Sequence, residues 1–217
     1  MSTAIREALS AGDLGPGQRL VEQELSENLH ASRSCVREAL QDLAAEGLVE
    51  LVPRRGARVR VVSVDEAIQI TECRAALEGL CARRAAERAP AGQRESLRAI
   101  GDGMREAVTG GDLSAYSALN RQLHARIAEM SGQEVARGLL DRLKGQMVRY
   151  QFRLALRPGR PTTSLPQHLA IIDAILAGDG PAAEAAARAH LDSVVEELRV
   201  PPGGTEPHAA GFRKASG

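Results

Sequence analysis

Aromatic residues are scarce. Phe, Trp and Tyr together make up 2% of the 217 residues, and there is no tryptophan. Any core must be filled by Leu, Ala, Val and Ile, and an alanine-rich, leucine-periodic chain favours packed helices over sheets. An excess of one charge is also missing, because 28 basic residues balance 28 acidic ones. A uniformly basic nucleic-acid binder is excluded, and any phosphate-binding surface has to be a local concentration of Lys and Arg. Residues 53–60 are such a concentration: Pro-Arg-Arg-Gly-Ala-Arg-Val-Arg, with four arginines and no acid. Cysteine is limited to Cys35, Cys73 and Cys81, an odd count without C-x-x-C spacing. Reduced thiols in a cytosolic protein are expected, with Cys73 and Cys81 as small core residues of an apolar helical stretch. No apolar run is long enough to span a bilayer. The start, MSTAIREALSAGD, lacks the apolar region of a signal peptide. A cytoplasmic protein without a membrane partner is expected.

What is present is strong helical periodicity. Ile5 and Leu9 mark a short helix over Thr3–Ser10, followed by the turn-forming Gly12-Asp-Leu-Gly-Pro-Gly17. Val21, Leu25 and Leu29 recur at four-residue spacing in a second helix, which His30-Ala31 break. Ser32 suits the N-cap of a third helix, whose buried face carries Val36, Ala39, Leu40, Leu43 and Ala44 and which stops at Gly47. Residues 48–52 and 57–62 then read as a short hairpin. Three helices followed by a hairpin is the order of a winged helix-turn-helix, expected over residues 1–62. From Asp65 the texture is helical, with candidate helices at 65–88, 91–109, 112–130, 133–156, 164–177 and 181–199. The breaks are Pro90, Gly110-Gly111, Ser131-Gly132, the Arg157–Pro161 stretch and Gly178–Pro181. Short connections between six helices predict an antiparallel bundle over 65–199, and the Gly/Pro-rich 200–217 reads as a disordered tail. The expected fold class is mainly α.

In the third helix Ser32, Arg33, Ser34 and Arg37 fall at the outward N-terminal end, where a recognition helix meets base edges and phosphates. Arg33 and Arg37 share a face and suit bidentate contact with guanine or phosphate. The serine hydroxyls and first-turn amides suit phosphate oxygens. The order acidic-Leu helix, Ser-Arg…Val-Arg-Glu-Ala-Leu…Leu…Glu-Gly-Leu and a wing glycine resembles the winged helix-turn-helix of the GntR family of bacterial regulators over about residues 5–62. The resemblance implies that Gln23, Ser32, Arg33, Ser34, Cys35, Arg37, Arg55 and Gly56 occupy DNA-contact positions. It also implies a homodimer on double-stranded DNA carrying a palindromic operator. Cys35 departs from the Pro or Thr usual at its position, and Gln23 stands where Arg sometimes does.

The helical half contains His124, His168 and His190, with Asn120 four residues before His124 on the same helical face. In an antiparallel bundle three imidazoles and an amide oxygen can converge in the interior, as helix-bundle metal sites do, and neutral imidazole suits zinc, nickel, copper or iron. His30, in the turn, and His208, in the tail, do not read as ligands. The stretches RAALEGLCARRAA (74–86), LNRQLHARI (119–127), SLPQHLAIIDAILAGDGPAA (164–183) and ARAHLDSV (187–194) resemble the FCD effector domain of the FadR-like subfamily over about 65–199. The resemblance implies a divalent metal, zinc first and nickel or another transition metal as alternatives, held by Asn120, His124, His168 and His190. Its usual carboxylate is replaced here by Asn120, which brings no charge. It further implies a small organic acid as effector, paired by Arg74, with Arg149 and Ser164 as further pocket residues. Arg74 alternatively makes a simple helical salt bridge to Glu78, and Arg126 and Asp173 read equally as surface residues.

Together these readings predict a ligand-responsive transcription regulator, a repressor that the effector releases from DNA. A metalloenzyme is excluded on motif grounds: no H-E-x-x-H pattern and no nucleophile motif accompany the histidines. The alternative is a constitutive DNA-binding protein with a structural helical domain.

Overall fold

In a computed structural model the described residues are 1–11, 13–53, 55–147 and 159–200, with the side chains of residues 10, 11 and 91 set aside. Two compact units emerge, one built on Met1–Ser63 and one on Val64–Leu143 and the helices beyond Gly159. Among the described residues no helix is long and apolar enough to cross a membrane.

The first unit runs α1 (Ser2–Ala11), β1 (Arg19–Leu20), α2 (Glu22–Asn28), α3 (Arg33–Ala45), β2 (Val49–Val52) and β3 (Gly56–Val59). Its core is the one the periodicity marks: Ile5 from α1, Leu25 from α2, Val36, Ala39, Leu40 and Leu43 from α3, and Leu48, Val49, Ala57 and Val59 from the hairpin. Ser32 caps α3, its hydroxyl accepting from the Cys35 amide at 3.2 Å. Gly47 follows the helix at φ +75°, the left-handed position that ends many helices. His30, at φ +49°, makes the turn between α2 and α3. The Arg6 guanidinium grips Glu46 at 2.7 Å and ties α1 to the end of α3.

The expected hairpin is one edge of a three-stranded antiparallel sheet of order β1-β3-β2, in which Leu20 faces Ala57 and Val52 faces Gly56. A two-residue strand is too short to show an alternating pattern, so β1 was not foreseen. Its presence explains Gly56. At φ +86° a Cβ there would stand 2.8 Å from the Leu20 carbonyl oxygen, so neither the backbone angle nor the neighbouring strand leaves room for a side chain.

The second unit runs α4 (Val64–Arg88), α5 (Ala91–Thr109), α6 (Leu113–Met130), α7 (Glu134–Gln146), α8 (Arg160–Ala177) and α9 (Gly180–Arg199). Helix α9 lies chiefly along α4 and then α8, while α5 packs on α6 and α8. The α4–α9 seam is made of small residues, with Ala75, Ala82, Ala85 and Ala86 buried on one side and Ala183 and Ala187 on the other. Leu97, Met104, Leu123, Leu140, Ile171, Ile175 and Leu191 fill the remaining core. Asp112 and Asp179 cap α6 and α9 by accepting from the Ala115 and Ala182 amides.

Helix α8 begins four residues before the expected 164. Pro161 lies in its first turn, where a missing N–H costs nothing because that group has no helical partner anyway. Proline was read as a stop and serves as a start. The expected helix at 133–156 is described as far as Gln146, and its part beyond 147 lies outside the described residues, as does the tail from Pro201. One core expectation is corrected: Cys81 is buried, but Cys73 is exposed on a different face of α4. Eight residues separate the two, close to 800° of helical rotation, so they diverge by about 80°.

Candidate functional site

In the first unit Gln23, Arg33, Arg37, Arg55 and Gly56 line one groove of about 430 Å³ between α2, α3 and the wing. The charged lining residues are Arg19, Arg33, Arg37 and Arg55 against Glu22. Four cations against one anion is the local basic surface that the neutral chain requires. Ser32, Ser34 and Cys35 do not line this groove. They lie exposed at the N-terminal tip of α3, with the Ser32 and Ser34 hydroxyls 2.9 Å apart.

Two features of the groove escaped the sequence reading. Arg19 lies beside the wing and donates from Nε to the Arg55 carbonyl oxygen at 3.3 Å. Arg37 is held by Glu22 through two hydrogen bonds, of 3.0 and 2.6 Å. The Arg37 hydrogen bond holds the Glu22 carboxyl below the usual carboxylate range. Gln23 bonds Glu27 at 3.1 Å.

In the second unit α6 presents Asn120 and His124, α8 presents His168 and α9 presents His190. The three histidines each offer a nitrogen within 4.8 Å of the others. The His168 and His190 ring centroids are 4.3 Å apart, and His124 stands 5.4 and 5.6 Å from them. Burial, then the neighbouring His124, holds His190 down to about 3. Burial likewise pushes His168 well below its ordinary value, with His190 and His124 adding to the effect. Both are therefore neutral near pH 7 and keep a lone pair.

One consistent assignment of protons starts from the Ser164 bond to the helix backbone. The Ser164 hydroxyl donates to the Arg160 carbonyl at 2.9 Å, which uses its one proton. Across the 2.7 Å contact with Ser164 the Tyr116 hydroxyl must then donate. Across the 3.0 Å contact between Tyr116 and His168 the imidazole Nδ1–H must donate in turn. His168 is thereby left with its lone pair on Nε2, and that atom is buried without a hydrogen-bond partner among the described residues. His190 Nδ1 meets Gln167 Oε1 at 3.0 Å, and His124 Nδ1 meets Glu78 Oε2 at 2.8 Å. Every imidazole has an oxygen at Nδ1, the arrangement that holds a metal-ligating histidine in one tautomer and orientation.

Asn120 Oδ1 is the second buried atom without a partner among the described residues. Asn120 stands one helical turn before His124 on α6, and a buried acceptor and a buried imidazole nitrogen left unsatisfied are groups that a cation would satisfy. The donor set Asn120, His124, His168 and His190 therefore suits a divalent transition metal.

Of the expected effector residues, Arg74 is buried and paired with Glu78 at 2.9 Å, so the salt bridge foreseen at the helix surface lies in the interior. Ser164 is buried, its proton committed as above. Arg149 lies outside the described residues. Sequence reading missed Tyr116 and Gln167, and named Glu78 only as a surface partner of Arg74. A visible signal existed for Glu78, since Thr71, Arg74, Ala75, Glu78 and Ala82 form one helical stripe, and a charged pair on an apolar stripe is a buried pair.

A basic groove on a winged helix-turn-helix, joined in one chain to a helical unit with a histidine cluster, defines a DNA-binding regulator with a second, helical domain. Comparison with known proteins agrees. The model "Bacterial regulatory proteins, gntR family" matches residues 2–59, and the model "FCD domain" matches residues 69–193. The HTH-type transcriptional repressor RspR of Escherichia coli is 30% identical over 186 residues, covering 86% of this chain and 82% of that one. A regulator in an unstable DNA locus of Streptomyces ambofaciens is 31% identical over 196 residues, covering 89% and 81%. Among solved structures, E. coli McbR/YncC matches with a TM-score of 0.77 at 22% identity over 91% of this chain and 94% of that one. A GntR regulator from Rhodococcus matches at 0.69 and 22% with the same coverage. The chain belongs to the GntR family of bacterial transcription regulators and carries an FCD domain; it is a regulator and not an enzyme.

Proposed function

We propose that this regulator is a repressor, binding a palindromic operator as a homodimer and leaving it when a small carboxylate occupies the FCD unit beside a bound divalent metal. Gln23, Ser32, Arg33, Ser34, Cys35, Arg37, Arg55 and Gly56 are assigned to DNA. Arg33 and Arg37 are the base- or phosphate-pairing groups and the tip of α3 is a phosphate seat. One head of about 60 residues makes few contacts, and pairing two heads about one helical turn apart is the usual remedy. A repressor role accords with the name of the E. coli relative.

Asn120, His124, His168 and His190 are assigned to the metal, with zinc the first expectation given three imidazole ligands. The observation that carries this is the convergence of the three histidine nitrogens within 4.8 Å of one another, with His168 Nε2 and Asn120 Oδ1 buried and unpartnered among the described residues. A metal bound there supplies positive charge and open coordination positions for an anion. Arg74 is assigned to the effector carboxylate, with Arg149 as a further pocket residue. Ser164, having no proton left to donate, is assigned to holding Tyr116 and through it His168.

The test joins elemental analysis of the purified protein to thermal melts and gel shifts. About one zinc or other transition metal per chain is expected. A ligand present at a hundred times its Kd adds about 2.7 kcal/mol, so chelation lowers Tm by roughly 5–15 °C. A panel of small carboxylates should contain one that weakens operator binding in the metal-loaded protein. Protein that binds no transition metal and melts alike with and without chelator leaves the constitutive reading in its place.

A further inference from the structure

The donor set Asn120, His124, His168 and His190 contains no carboxylate, and two of its members, His168 and His190, are buried. A divalent cation seated there leaves its charge to be answered by the surroundings, and among the described residues the carboxylate that touches the set is Glu78. One Glu78 oxygen meets His124 Nδ1 at 2.8 Å, and the other accepts from Arg74 Nε at 3.1 Å and Nη2 at 2.9 Å. Glu78 and His124 line the same small cavity of about 10 Å³, together with Cys81, Ala82 and Ile127. The Glu78 and Arg74 side chains are 8% and 7% exposed, so water screens neither.

We infer that Glu78 is the positioning residue of the metal centre: it fixes His124 as an Nε2 ligand and supplies, from one residue out, the negative charge that the ligands lack, while Arg74 competes for that charge. The inference rests on the metal reading above and concerns what conditions the metal rather than whether one binds. Accepting from Nδ1–H selects the tautomer with its lone pair on Nε2 and makes the imidazole a stronger donor. Arg74 draws on the same carboxylate, so its partial neutralisation of Glu78 weakens that support. The two halves of one salt bridge therefore act on the metal in opposite senses.

That opposition is the test. Zinc affinity of the full chain is measured by competition with a chromophoric chelator, with cobalt absorption spectra and apo-protein melts alongside. Glu78→Gln should lower zinc affinity about 10- to 100-fold, the usual loss when the partner of a ligating histidine is removed. It should also alter the visible bands of the cobalt-loaded protein. Arg74→Met removes a cation that draws on this carboxylate and should raise zinc affinity about tenfold while lowering the apo melting temperature. A bridge with a purely structural role predicts affinity moving the same way in both variants, or not at all, and either result overturns the proposal. If Glu78→Gln fails to fold because Arg74 is left unpaired, Arg74→Met/Glu78→Gln removes both charges and should bind zinc as weakly as expected of the single variant; wild-type affinity there overturns the proposal equally. Wild-type protein that binds no zinc overturns the metal reading and this one with it, whereas wild-type binding with unchanged Glu78→Gln affinity overturns this one alone.

Discussion

Arg37 Nη2 lies 2.6 Å from Glu22 Oε2, so a cation expected to meet DNA is held by an acid on the neighbouring helix. A phosphate or a guanine edge must displace Glu22 before Arg37 can engage it. Both residues line the groove, where Glu22 also sets a negative charge against incoming phosphate. Exposed pairs are weak, so the toll is small. Glu22→Gln should tighten operator binding about threefold, mainly through faster association. Surface plasmon resonance on immobilised operator checks it. Weaker binding by this variant would mean that Glu22 orients Arg37 rather than restrains it.

Removing the arginines should act in the opposite sense and more strongly. Arg33→Ala/Arg37→Ala is expected to weaken operator binding by about 100-fold or more, since each bidentate base contact is worth roughly 1–3 kcal/mol. The single variants separate base reading from phosphate neutralisation. Loss of a base contact relaxes specificity at one operator position, whereas loss of a phosphate contact weakens all sequences alike and reduces the salt slope by about one. Gel shifts at several salt concentrations on operator and scrambled DNA distinguish them. Full affinity in the double variant would remove α3 from the interface.

Much of this was legible in the sequence, for identifiable reasons. Ser32 caps α3 because a hydroxyl before an apolar-periodic run is a local signal, and local geometry enforces it. The convergence of His124, His168 and His190 was expected from the FCD resemblance, and the structure brings these three together, while Asn120 as a fourth ligand remains a proposal. What stayed hidden depends on contacts distant in sequence. β1 exists only because β3 pairs with it, with Leu20 opposite Ala57. Tyr116 reaches Ser164 and His168 across 48 and 52 residues, and no spacing rule predicts such a bond. Glu78 was read as an i,i+4 partner of Arg74 worth a few tenths of a kcal/mol, which holds for a solvated helix face. The error lay in the assumed solvation, since the pair is buried.

The chain from His168 through Tyr116 and Ser164 to the Arg160 carbonyl gives a third expectation. Tyr116→Phe keeps the ring in its buried place and removes only the oxygen. His168 Nδ1–H then loses its acceptor, and its tautomer is no longer fixed. Stability should fall by roughly 1–3 kcal/mol for the unsatisfied donor. Zinc affinity should fall about tenfold for the lost partner of a ligand. Denaturant melts of apo-protein give the first quantity and chelator competition the second. A loss of stability with unchanged metal affinity would show that the tautomer is held by other means.

Asn120 offers the converse experiment, in which metal binding is strengthened. Its Oδ1 is buried and unpartnered among the described residues, so the position tolerates an oxygen but leaves it unsatisfied. Asn120→Asp changes almost no volume and adds a full negative charge at a proposed ligand position. Without metal that charge is buried among neutral imidazoles, and the apo-protein should melt lower. With metal the same charge answers the cation directly, and affinity should rise about tenfold or more, as it does when ligand charge increases. The melting curves of wild type and variant should therefore cross: variant below wild type in chelator, above it in saturating zinc. Curves that keep their order under both conditions would place Asn120 outside the coordination sphere and leave the three histidines as the whole of the protein's donor set.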